Sequence, residues 1–147
     1  HERIVDLGRW DYVSHQVIAS PFKPIDYMDK IDVLAARYLT DTKITCKYLT
    51  VELKKDEAEK STIDQILKYV DWVCTEYAYG DYEMIEACII AAGYEEGMDR
   101  YYREVVQRHY TQGSHPVRNK QWNNLKLLKY TCVDGEIVYE DVTPPLR

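Results

Sequence analysis

Tyr48-Leu49-Thr50-Val51-Glu52-Leu53-Lys54-Lys55 sets a carboxylate and an ammonium into an otherwise apolar run. Read as a strand, its side chains alternate between two faces. Tyr48, Thr50, Glu52 and Lys54 then share one side, and Leu49, Val51 and Leu53 face a core. A second apolar run broken by a single acid, Lys30-Ile31-Asp32-Val33-Leu34-Ala35-Ala36, places Asp32 twenty residues ahead of Glu52. If the two segments pair as neighbouring strands, Asp32, Glu52 and Lys54 meet at one point. Two carboxylates side by side raise each other's pKa unless a cation neutralises them. A hard divalent metal such as magnesium, which takes oxygen ligands and keeps several waters, is the natural cation. A lysine beside it can orient or help deprotonate a bound water, so the set suits metal-assisted hydrolysis of a phosphodiester.

Glu-x-Lys alone carries little information in a chain that is 30% charged. The plain alternative is a Glu52/Lys54 ion pair on a solvated strand, which contributes little when exposed. The chemical reading gains from both acids interrupting segments that otherwise read as buried, where charges are rare unless paired or metal-bound.

After the strand, Ser61 opens a segment with apolar positions at Ile63, Ile66, Leu67, Val70 and Val73. That is the spacing of an amphipathic helix with Ser61 as its cap. Gln65 and Tyr69, four apart, fall on one stripe. Asp32, then Glu52-Leu53-Lys54, then Gln65-x-x-x-Tyr69 on the next helix resembles the PD-(D/E)XK nuclease superfamily, and within it the C-terminal nuclease domain of NucS-type endonucleases. The resemblance covers roughly residues 26–92. It implies an α/β, restriction-endonuclease-like core with a mixed β-sheet flanked by helices. It further implies that Asp32 and Glu52 hold Mg2+ or Mn2+, with a backbone carbonyl near Leu53 completing the protein side. Lys54 would activate or position the attacking water, Gln65 would support the site, and Tyr69 would pack behind it. The implied activity is that of a Mg-dependent deoxyribonuclease, an endonuclease acting on DNA. The chain departs from the family pattern in two places. An acid on a helix ahead of the first strand has only Glu2 as its counterpart, and the proline lead-in, Pro24-Ile25-Asp26, puts Asp26 six residues early, with Asp29 also nearby.

At 147 residues the chain has the length of one domain with a real core. Its start at His1 reads as a fragment boundary, with other domains expected upstream. No segment is long and apolar enough to cross a membrane; the longest apolar run is Ala87 to Ala92. The four cysteines (46, 74, 88 and 132) are scattered through apolar elements, which reads as reduced core thiols of a cytoplasmic protein. A formal charge of −6 is awkward for a nuclease, because Lys and Arg supply most non-specific affinity for phosphates. The expected remedies are a homodimer, a missing upstream domain, or a local basic patch from Arg100, Arg103 and Arg108 on one helix with Arg118, Lys120, Lys126 and Lys129 further on. The alternative function is a catalytically silent nuclease-fold domain that binds nucleic acid or protein; an unrelated α/β interaction domain is a third. His1, His15, His109 and His115 share no metal-ligand spacing, and no phosphate loop or nucleophile elbow is present.

Along the chain, strands are expected over 12–19, 31–39 and 43–54, the last two antiparallel around Thr40-Asp41-Thr42. Asp56–Lys60 reads as a charged loop, 61–78 as a helix, 84–92 as a central buried strand, 98–110 as a helix and 111–124 as a polar loop. A hairpin turning at Asp134-Gly135 closes the fold.

Overall fold

The computed structural model describes residues 2–4, 7–19 and 30–146. A small ribbon of β1 (Glu2–Ile4) and β2 (Gly8–Trp10) precedes the main sheet. That sheet contains β3 (Tyr12–Ile18), β4 (Lys30–Tyr38), β5 (Thr45–Ala58), β6 (Ile85–Tyr94), β9 (Leu125–Val133) and β10 (Glu136–Asp141). Helix α1 (Lys60–Glu76) joins β5 to β6, and α2 (Met98–Val105) and the hairpin of β7 (Arg108–Gln112) and β8 (Arg118–Trp122) lie between β6 and β9. The strand order is β10-β9-β6-β5-β4-β3. Strands β3, β4 and β5 are antiparallel neighbours, as are β9 and β10, whereas β5–β6 and β6–β9 are parallel. The fold is therefore α/β with a mixed sheet flanked by helices, as the sequence implies.

Parallel strands need a crossover, and α1 supplies it after β5. Its buried face, including Ile63, Ile66, Leu67, Val70 and Val73, packs with Ile85, Ala87 and Ile89 in one core cluster. The opposite face of the sheet has its own cluster, where Leu49, Val51, Val33, Ala35, Cys88 and Leu128 meet Leu7 and Trp10. Strand β6 and the Leu49–Glu52 stretch of β5 are thus covered on both sides, which explains the apolar runs there.

Several expectations change. Strand β5 runs on to Ala58 through the supposed charged loop, and α1 starts at Lys60. Glu59, not Ser61, caps it, in a reciprocal capping box with Thr62. Leu53 faces no core and is 49% exposed. The second helix ends at Val105, so Arg108 and His109 lie on a strand. In β7, half-buried and exposed residues alternate along Arg108-His109-Tyr110-Thr111-Gln112, a period of two that a polar composition hides from hydropathy. Much of the polar loop expected over 111–124 is β8, anchored where the indole of Trp122 donates to the Ile85 carbonyl at 2.8 Å. Cys132 is exposed, unlike buried Cys74 and Cys88. Asp26 and Asp29 lie outside the described residues, as does the side chain of Glu2.

Candidate active site

The antiparallel register pairs Leu34 with Thr50 and Val33 with Val51, and there the β4–β5 pairing ends. One residue further along each strand are Asp32 and Glu52. The Asp32 carboxylate takes over from the backbone ladder: its Oδ2 accepts from the Leu53 N–H at 2.9 Å. Its Oδ1 accepts from the Gln16 side-chain amide on β3, also at 2.9 Å. A carboxylate in place of a carbonyl at the end of a ladder thus satisfies a strand amide and fixes its own plane.

Glu52 sits deeper, 4% exposed, in a strand that is buried on both faces. Its Oε1 lies 3.6 Å from the Lys54 ammonium, whereas its Oε2 is buried without a hydrogen-bond partner among the described residues. Burial, and after it the charge of Asp32, push the Glu52 carboxyl from 4.5 up to about 7, against the opposing pull of Lys54. Asp32, Glu52 and Lys54 are therefore brought together as the sequence predicts. With Glu52 ionised, negative charge exceeds the positive charge of Lys54, and the raised pKa of Glu52 is the response to that excess and to burial. Glu52 Oε2 is left without a hydrogen bond among the described residues, and Asp32 keeps lone pairs beyond its two bonds. Among the described residues no group of three or more His, Cys, Asp or Glu side chains is arranged to hold a metal.

Gln65 and Tyr69 meet on α1, where the Gln65 amide donates to the Tyr69 hydroxyl at 2.8 Å and the tyrosine is almost wholly buried. Gln65 is thus held by the helix and not by the carboxylates. Of the first three members of the expected basic patch, two are paired with acids and the third keeps its charge uncompensated. Arg100 pairs with Glu104, Arg103 donates to the Pro145 carbonyl, and Arg108 grips both oxygens of Asp71. Arg118 and Lys120 lie on β8, and Lys126 and Lys129 on β9. Two contacts at the site escape the sequence reading: the Leu53 N–H, foreseen only as a carbonyl, and the side chain of Gln16. A lone glutamine in Ser14-His15-Gln16 carries no signal in one sequence; only the sheet brings it beside Asp32.

No helix of the described residues is long and apolar enough to cross a membrane. No family model and no curated protein matches the chain. Three solved structures do. A repair endonuclease from Pyrococcus abyssi is 24% identical over 56% of this chain and 32% of its own, with a TM-score of 0.39. EndoMS in complex with double-stranded DNA gives 24%, 56%, 30% and 0.39 in the same order. EndoMS in its apo form gives 18%, 63%, 32% and 0.40. The match spans about a third of each of those chains. At that level of likeness this chain's own residues, and not its neighbours, decide what it does.

Proposed function

We propose that the chain carries a divalent-metal-dependent centre that hydrolyses DNA phosphodiester bonds as an endonuclease, with Asp32, Glu52 and Lys54 as its chemical core. The observation that carries the reading is Glu52, a buried carboxylate with an oxygen unpartnered among the described residues, beside a second acid and a lysine. Such a group costs stability, and perturbed carboxylates of this kind gather at working sites. Asp32 and Glu52 would hold magnesium or manganese, with a backbone carbonyl near Leu53; all-oxygen donors and surplus negative charge fit a hard cation. When bound, the cation polarises a phosphoryl oxygen and lowers the pKa of a coordinated water. Lys54, 37% exposed, can turn its ammonium to the attacking water or to a phosphate oxygen and offset charge that builds during displacement. Gln65 would steady the site from α1. DNA as the substrate comes from the sequence resemblance.

With a formal charge of −6 and two of its candidate arginines already paired with acids, this chain by itself would bind DNA weakly. A second copy or a further domain would supply the missing affinity. Calorimetric titration with manganese tests the centre. Wild type should release heat on binding and Glu52→Ala should not; equal heats would remove the metal reading. Cleavage of single-stranded, duplex and branched DNA with either metal then tests the activity, and metal binding without cleavage would leave the silent binding domain.

A further inference from the structure

We infer that Gln16 is a positioning residue for Asp32, and that its unusual backbone delivers the amide to the carboxylate. The inference rests on the reading of Asp32 as a working carboxylate.

Three observations converge. First, β3 pairs with β4 on both sides of Gln16, through His15 with Val33 and Val17 with Ile31, but Gln16 and Asp32 fall outside the pairing. Second, Gln16 has φ +54°, in the left-handed region. The other described non-glycine residues there, Asp41, Tyr79 and Asp134, sit in turns; Gln16 alone is inside a strand. L-residues other than glycine, asparagine and aspartate avoid that region because Cβ crowds the carbonyl, so a glutamine there within a strand is held by its surroundings. Third, the side chain leaving that backbone places Nε2 2.9 Å from Asp32 Oδ1, while the Leu53 N–H takes Oδ2 from the opposite strand.

Asp32 is therefore held from both flanking strands, one donor on each oxygen. Both donors are neutral. They fix the plane of the carboxylate without cancelling its charge, and each oxygen keeps a lone pair for a cation. An arginine or lysine at position 16 would grip Asp32 more strongly and neutralise it. Hydrogen bonds of this kind to a ligating carboxylate set its direction, and losing one typically lowers metal affinity by about 10- to 100-fold.

Gln16→Gly separates positioning from mere stability. Glycine accepts φ +54° without strain, so the variant can keep the backbone while the side chain and its amide are lost. It should melt no lower than wild type, bind manganese about 10-fold more weakly by calorimetry, and lose cleavage through kcat more than KM. In the metal-free protein, Asp32→Ala should also move the Gln16 side-chain amide resonance. Equal manganese affinity in Gln16→Gly and wild type, or an amide resonance that ignores Asp32→Ala, overturns the role of Gln16 and leaves the Asp32–Glu52 centre standing. A wild type that binds no manganese overturns both.

Discussion

Two charge clusters on this protein are built in opposite ways. Under α1, Arg108 of β7 grips Asp71 with two nitrogens, Nε at 2.9 Å and Nη2 at 3.2 Å, and the Tyr82 hydroxyl donates to the same carboxylate at 2.9 Å. Each charge there has its counterpart, and the cluster ties the β7–β8 hairpin to the helix. At the end of the β4–β5 pairing the sums do not balance. Two acids face one lysine, the Glu52–Lys54 contact is a loose 3.6 Å, and one buried oxygen has no partner among the described residues. A satisfied cluster explains itself by what it holds together. An unbalanced one, kept in a buried strand, is the kind that gathers at working sites.

The largest effect should follow from removing the lysine of the unbalanced cluster. Lys54 is partly exposed beyond the end of the β4–β5 pairing, so Lys54→Ala should leave the fold intact. Cleavage should fall by on the order of 10²-fold or more, the usual loss when a preorganised charge is withdrawn from a developing transition state. Unchanged cleavage by a folded Lys54→Ala protein would place the chemistry elsewhere and erase the contrast between the clusters.

What the sequence made legible follows from where hydrophobicity carries the signal. Strands β4 and β5 announce themselves because Asp32 and Glu52 stand out against Ile, Val, Leu and Ala, and α1 because its apolar stripe has a helical period. Asp134-Gly135 marks the last hairpin by turn chemistry alone. The β7–β8 hairpin was hidden because its strands carry polar residues on both faces and are held by side-chain contacts far along the chain, such as Arg108 to Asp71 and Trp122 to Ile85. Leu53 was misplaced because alternation presumes a core on each covered side, and β5 runs past the end of its pairing with β4 at that point. Of the site, the acids and the lysine could be read from spacing along two strands; Gln16 could not, since its partner lies sixteen residues on and only pairing brings them together.

The pH dependence of stability sharpens the comparison next. In the folded, metal-free protein Glu52 keeps its proton until about pH 7, whereas an ordinary glutamate loses it near 4.5. Between those values the folded state binds more protons than the unfolded one. The contribution is therefore fully present below about 4.5 and is lost as pH rises through 7. Wild type should lose on the order of 1–3 kcal/mol between pH 5 and 8 relative to Glu52→Gln, whose neutral amide cannot ionise. Denaturant unfolding of both proteins at the two pH values measures this. Parallel pH profiles would mean that Glu52 is compensated after all, as Asp71 is.

The smallest effect belongs to the balanced cluster. Arg108→Ala leaves Asp71 with the Tyr82 hydroxyl and solvent, because the carboxylate is 44% exposed. Water can therefore replace much of what the guanidinium gave. The cost should be about 1–2 kcal/mol, that of losing a two-point contact to a partly exposed charge. For a chain of this size that is a fall of roughly 2–8 °C in Tm. Manganese affinity and cleavage per folded molecule should stay at wild-type values, since the cluster sits under α1 and shares no residue with the carboxylate pair. Thermal unfolding followed by duplex binding at two salt concentrations gives the decisive pair of numbers. An unchanged Tm with weaker, less salt-dependent binding would turn Arg108 from a structural tie into a phosphate contact, restoring the arginine patch that the sequence suggested.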